Sequence, residues 1–324
     1  MVRGTERSKP QRAVAGKIPF RLRLKAWWDG NELYLRRRKR DRRSHGKDTL
    51  TRQKGYRDPE RPWDSPRVRM LQAVWGEGFC APGGPDHILE LVKPFGLTPA
   101  MSMLHLGAGL GGPARTIAGE FGVWIAGFES DHELAQAGAA LSNLAGMAKK
   151  AMVAPFDLQK FELSLNSCDA IFADSIFFPI VDKHRLMRIL DLALKERGQL
   201  LFTDYVLTRR GGEESPEIQA WMKQEPVAPH PWTAQEYTDF LADLKLDIRI
   251  TEDVTAAVRS MIIQGWANFT ATASAGDLDP EMASCLTEEV NLWTSRVAAF
   301  DSGELRVYRI YALKKVAEKM LSDW

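Results

Sequence analysis

The stretch His105-Leu106-Gly107-Ala108-Gly109-Leu110-Gly111-Gly112-Pro113-Ala114-Arg115 constrains this chain more than any other feature. It joins an apolar run of strand character, Met103 to Leu106, to a segment of helical character, Pro113 to Glu120. Glycine is needed in such a turn because the backbone must reverse tightly and approach a ligand with no Cβ in the way, while the following helix N-terminus favours polar or anionic groups. A glycine turn alone is a weak signal. Here Glu129 closes the next predicted strand, Val123 to Glu129, about 20 residues after the glycines, where a carboxylate accepts both hydroxyls of a ribose. Together they point to a cofactor containing a nucleoside. The bland alternative is a surface glutamate after an ordinary turn, and a nicotinamide enzyme would offer the same residues. The choice of cofactor therefore rests on the remainder of the chain.

Around this turn, apolar segments alternate between strand and helix periods. Pro85-Asp86 caps a helix through His87 to Val92, and a second helix follows from Asp131 to about Leu144. Met152 to Ala154 and Asp169 to Ala173 read as strands, Asp182 to Lys195 as a helix, Arg197-Gly198 as a turn and Gln199 to Leu207 as a strong strand. The last third adds a capping box at Thr233 and Glu236, a strand Leu246 to Ile250, two long helices and a closing strand Glu304 to Leu313. This alternation predicts an α/β fold: a doubly wound, seven-stranded, mainly parallel sheet over residues 62–324.

Residues 1–61 are different in kind. They carry about 20 Lys/Arg against about 7 Asp/Glu, with the run Arg36-Arg37-Arg38-Lys39-Arg40, although the whole chain is only +2. One apolar cluster, Ile18 to Leu35, contains Trp27-Trp28. The bland reading is a solvated extension. The sharper one is a surface for an acidic partner: anionic lipid, RNA or another protein. No apolar run of membrane-spanning length and no signal-peptide pattern is present, so a cytoplasmic protein is expected, peripheral to a membrane if the arm binds lipid. Three scattered cysteines, Cys80, Cys168 and Cys285, fit reduced thiols, and no structural metal is expected.

The upstream segment Gly76-Glu77-Gly78-Phe79-Cys80-Ala81-Pro82-Gly83-Gly84 resembles the cofactor-covering loop of the phosphoethanolamine and small-amine N-methyltransferases. The likeness extends to Asp169-Ala170-Ile171-Phe172, Ile180-Val181-Asp182-Lys183, Thr203-Asp204-Tyr205, Glu252-Asp253-Val254-Thr255 and the terminal Tyr308 to Lys315. It implies a class I methyltransferase fold and S-adenosylmethionine as cofactor. Gly107, Gly109 and Gly111 would lie against its methionine part, Glu129 would hold the ribose, Asp157 with Leu158 would border the adenine, and His105 and Asp174 would complete the cofactor-binding set. Tyr205, Trp63 and Asp174 would face a small-molecule methyl acceptor.

The departures from that pattern bear on function. The resemblance calls for an acidic residue where His105 stands, for a histidine at Pro179, and for tyrosines at Trp63 and Leu71. A basic residue and a tyrosine that grip a substrate phosphate would fall on Glu225 and Val227, and a carboxylate there repels phosphate. Phosphoethanolamine is therefore not expected as the substrate. Aromatic residues such as Trp63, Trp75, Phe79, Phe178, Tyr205, Trp221 and Trp232 could hold a cationic amine, with Glu225 or Asp174 adding charge, although most tryptophans are simply core. His87, His132, His184 and His230 read as caps or surface groups. Two functions follow: a methyltransferase acting on an amine or other small nucleophile, or a catalytically silent methyltransferase fold that docks through its basic arm. A nucleic-acid methyltransferase is disfavoured by the absence of an Asn-Pro-Pro-Tyr or Pro-Cys motif.

Overall fold

The computed structural model describes residues 61–157, 160–273 and 279–316. The basic arm, apart from Arg61, and Leu158 lie outside the described residues.

Among the described residues the elements run α1 (Pro66–Trp75), α2 (Gly84–Val92), β1 (Ser102–Leu106), α3 (Gly112–Phe121), β2 (Trp124–Glu129), α4 (His132–Leu144), β3 (Ala151–Pro155), β4 (Cys168–Asp174), α5 (Lys183–Ala193), β5 (Leu194–Leu207), α6 (Pro216–Gln224), α7 (Ala234–Asp243), β6 (Leu246–Asp253), α8 (Thr255–Thr272), α9 (Pro280–Ser302) and β7 (Leu305–Lys314). One seven-stranded sheet has the order β3-β2-β1-β4-β5-β7-β6. The five strands from β3 to β5 are parallel, and β7 inserts antiparallel between β5 and β6. The chain winds outward from β1 to β3, then crosses back to β4. That reversal leaves a crevice beyond the carboxyl ends of β1 and β4, where open α/β sheets bind ligands.

Strand alternation sorts the side chains onto two faces. Met103, Phe172, Leu201 and Tyr205 belong to a core shared with α1 to α4, α6, α8 and α9. Leu104, Leu106, Ile171, Leu200 and Phe202 face the other way, onto α5 and α7. The helices start where their caps dictate: Ser65, Asp131, Asp182, Ser215 and Asp279 each accept backbone N–H groups of a first turn, and Thr233 with Glu236 forms the predicted capping box.

Two boundaries differ from the sequence pattern. The helix expected to reach Lys195 ends at Ala193, because Leu194 already pairs with Cys168 in the sheet. A register irregularity between Cys168 and Ala170, with Arg197 at φ 62°, absorbs the residues between. Strand β6 runs on to Asp253, since the backbone of its polar end still pairs with β7 although its side chains carry no apolar signal.

Candidate cofactor and acceptor site

Strand β1 delivers the glycine turn to the crevice. Gly107, Gly109 and Gly111 all have positive φ, of 75°, 52° and 75°, a region that costs other residues roughly 1 to 2 kcal/mol. Space is equally restrictive. A Cβ on Gly107 would stand 2.7 Å from the backbone oxygen of Asp174, and one on Gly109 would strike the Cys80 sulfur. The turn is held from β2: the Gly107 and Ala108 N–H groups donate to the Phe128 carbonyl at 2.9 and 3.1 Å.

Glu129 is 7% exposed at the end of β2. Its Oε2 accepts the Gly109 N–H at 2.7 Å, and its Oε1 accepts the Asp131 N–H at 2.8 Å and the Ser130 hydroxyl at 3.3 Å. Burial raises its pKa, while these donors oppose that rise. A carboxylate has about four acceptor positions, so those left open suit a pair of ribose hydroxyls. Asp157 follows β3 on the same edge, exposed and 3.4 Å from Lys160.

The segment 76–84 closes over the turn. The Gly78 carbonyl accepts the Gly112 N–H at 2.9 Å, the first turn of α3. Arg115 is buried beneath, donating to the Leu110 carbonyl at 2.9 Å and the Ser142 hydroxyl at 3.1 Å. Burial pushes its pKa down to about 10, opposed by Glu77. Burial likewise pushes the Cys80 thiol up to about 12, so it is no nucleophile.

At the neighbouring strand end, Thr203 on β5 donates its hydroxyl to Asp174 Oδ1 at 2.5 Å, and Ser175 donates at 3.2 Å. Tyr205 lies two residues beyond Thr203 on the same face, 4% exposed. Its ring meets Phe178 edge-on at 5.0 Å and stacks on Phe300 at 5.9 Å. Burial raises its phenol well above the ordinary range, so Tyr205 can donate a hydrogen bond but not accept a proton as phenolate.

No family model matches the chain. It is 33% identical to phosphoethanolamine N-methyltransferase 2 of Caenorhabditis elegans over 159 residues, 48% of this chain and 36% of that protein. It is 29% identical to phosphoethanolamine N-methyltransferase 3 of Arabidopsis thaliana over 193 residues, 60% and 38% of the two chains. The Haemonchus contortus phosphoethanolamine N-methyltransferase 2, solved with phosphomonomethylethanolamine and S-adenosylhomocysteine, superposes with a TM-score of 0.63 at 21% identity, covering 78% of this chain and 58% of that one. This chain has the class I S-adenosylmethionine-dependent methyltransferase fold and is related to the phosphoethanolamine N-methyltransferases. It spans little more than a third of the length of these curated relatives.

The expected site residues lie in unlike surroundings. His105 faces no open charge. It is fully buried, stacks on Phe172 at 4.8 Å, and neither ring nitrogen has a hydrogen-bond partner. Burial pushes its pKa down to about 3, so the imidazole is neutral. Trp63 stands in the 3₁₀ turn Pro62–Asp64, which packs on α4, while Asp174 and Tyr205 come together at β4 and β5.

The expected aromatic set divides. Phe178, Tyr205 and Trp221 pack together, Trp75 joins Trp266 and Trp293, and Trp232 packs with His184 and Tyr237 on the opposite face. His87 is not a surface cap. It is half-buried on α2, held below the usual imidazole range by burial, with the Asp174 carboxylate opposing and Arg309 adding to the effect.

Glu225 requires a correction, because it is not an open carboxylate facing the acceptor. Its two oxygens accept Nε and Nη2 of Arg296 at 2.7 Å each, and Oε1 also accepts the Trp221 indole at 2.5 Å. Arg296 was absent from the sequence reading, since nothing in a chain pattern links residues 71 apart. A cavity of about 410 Å³ elsewhere, lined by Leu104, Ala126, Phe128 and Met152, opens on the other face and touches none of these groups.

Proposed function

We propose that the protein transfers a methyl group from S-adenosylmethionine to an amine or another small nucleophile, and that phosphoethanolamine is not its acceptor. The observation that carries this reading is the coupling of the glycine turn to Glu129 through the Gly109 N–H, which fixes a carboxylate beside a backbone cradle that tolerates no Cβ. The cradle suits the methionine end of the cofactor and Glu129 its ribose. Asp157 and Leu158, at the end of β3, would border the adenine.

S-adenosylmethionine brings a methyl group already activated on sulfur. What the chain must add is alignment and exclusion of water. Segment 76–84 lies over the turn and provides cover. Asp174, fixed by Thr203, and Tyr205 line the acceptor side, and Trp63 is the further residue assigned there from the family likeness. Pro179 carries no proton-transfer group, yet transfer to a neutral nitrogen needs none in the bond-forming step.

The test is calorimetry of the purified protein with S-adenosylmethionine and S-adenosylhomocysteine, together with mass spectrometry of any metabolite that copurifies. Micromolar binding of either compound is expected. Absence of binding at millimolar cofactor would favour the catalytically silent scaffold instead.

A further inference from the structure

We infer that the acceptor is an amine whose remainder carries no charge, and that Glu225 fills from within the place on Arg296 that an anionic substrate group would otherwise take. This rests on the methyltransferase reading above and names the substrate class for that site.

The argument begins with the charges around Tyr205. Arg296, on α9, lies between the Tyr205 ring at 5.1 Å and the Trp293 ring at 4.5 Å. One edge of its guanidinium, Nε with Nη2, meets both oxygens of Glu225, and the side chains are 12% and 2% exposed. A bidentate pair of this kind is strong and geometrically demanding. An incoming phosphate or carboxylate could take that edge of Arg296 only by displacing Glu225, which would then be a buried charge without its cation. Burial disfavours the Arg296 charge, but the Glu225 carboxylate holds it above its ordinary range, so the pair stays ionised and internally neutral.

Of the other charges nearby, Glu289 supports the Arg296 charge and accepts the Trp75 and Trp293 indole N–H groups, and buried Asp204 accepts the Tyr237 hydroxyl and the Phe178 N–H. Arg309 is paired with Glu252, and His87 is kept neutral by burial. Asp174 is different: its recorded partners are the Thr203 and Ser175 hydroxyls, and no ion pair involving it occurs among the described residues. The acceptor side therefore presents the Asp174 carboxylate beside the packed rings of Phe178, Tyr205 and Trp221. A carboxylate attracts an ammonium, and an aromatic wall takes an uncharged hydrocarbon or aryl body.

The ammonium held by Asp174 gives up its proton to water. The freed nitrogen lone pair then forms the N–C bond as the C–S bond of the sulfonium breaks and its electron pair stays on sulfur.

The experiment uses the full chain saturated with S-adenosylhomocysteine, titrated calorimetrically with benzylamine, inorganic phosphate and phosphoethanolamine. Benzylamine should bind to the wild type at millimolar or lower concentration. Glu225→Gln should bind phosphate at least tenfold more tightly than the wild type, and Glu225→Gln with Arg296→Gln should lose that gain. Both comparisons carry the same basic arm, so its own attraction for phosphate cancels. If Glu225→Gln does not fold, the wild type still decides through transfer of radiolabelled methyl to benzylamine against phosphoethanolamine. No benzylamine binding, methylation of phosphoethanolamine, or wild-type phosphate binding that Arg296→Gln abolishes would each overturn the inference. Failure to bind S-adenosylhomocysteine would instead overturn the methyltransferase reading beneath it.

Discussion

Glu129 accepts the Gly109 and Asp131 N–H groups, and in the function proposed above its remaining lone pairs hold the ribose. Glu129→Ala should therefore weaken S-adenosylhomocysteine binding by about 1 to 3 kcal/mol, the range for polar partners left unsatisfied. Glu129→Gln, which keeps one carbonyl acceptor, should lose less. Calorimetry on the two variants checks the order, and equal affinity for Glu129→Ala and wild type would remove Glu129 from the ribose site.

His105 makes a different prediction, for stability rather than binding. An unfolded imidazole titrates near 6.5, whereas His105 in the fold titrates at about 3 because burial disfavours its charge. The folded pKa is depressed, so its contribution is fully present above pH 6.5 and is lost as pH falls from there towards 3. The loss amounts to roughly 3 to 5 kcal/mol at its full extent. His105→Leu should flatten that part of the acid limb in urea melts taken between pH 7 and 4. It should also gain about 1 to 3 kcal/mol at pH 7 by removing two unbonded buried nitrogens. An unchanged acid limb would show that His105 does not govern it.

The elements that position the site differ in how plainly the sequence announces them. The glycine turn, the carboxylate ending β2 and the capping box at Thr233 are local patterns, set by residues within one or two turns of each other, and each stands where expected. The boundary between α5 and β5 was less legible because Leu194 satisfies both a helical and a strand period, and only pairing with Cys168 decides it. The Glu225–Arg296 pair was not legible at all, because α6 and α9 meet through tertiary packing alone. Among these elements the contact of segment 76–84 with α3 is the most easily tested. A Cβ on Gly112 would collide with the Gly78 carbonyl, a backbone atom that cannot swing away. Gly112→Ala should cost about 1 to 3 kcal/mol of stability through overpacking. It should also raise amide exchange in segment 76–84 above that of β1. Exchange in that segment at the wild-type rate would mean that α3 tolerates the methyl by moving, and that the cover does not depend on this contact.

For the whole molecule, the dominant asymmetry is one of charge. Residues 1–61 carry a net charge near +13, whereas the remainder is negative by about 11, so the total of +2 conceals opposite fields. No helix among the described residues is long and apolar enough to cross a membrane. For attraction to a lipid surface and shallow insertion, the arm has both cations and Trp27, Trp28, Leu33 and Leu35. Attraction of this kind is screened: a chain that neutralises several phosphates loses roughly 10³ to 10⁵ in affinity between 50 and 200 mM salt. The full chain is thus expected to sediment with anionic vesicles, or to shift RNA, at low salt and to release it over that range. A chain starting at Pro62 should do neither and still bind S-adenosylhomocysteine. Retention on anionic vesicles at 200 mM salt, lost when Trp27 and Trp28 are both changed to Ala, would point to insertion, whereas release would point to charge alone. If the shortened chain bound polyanions as well as the full chain does, the arm would have no part in docking.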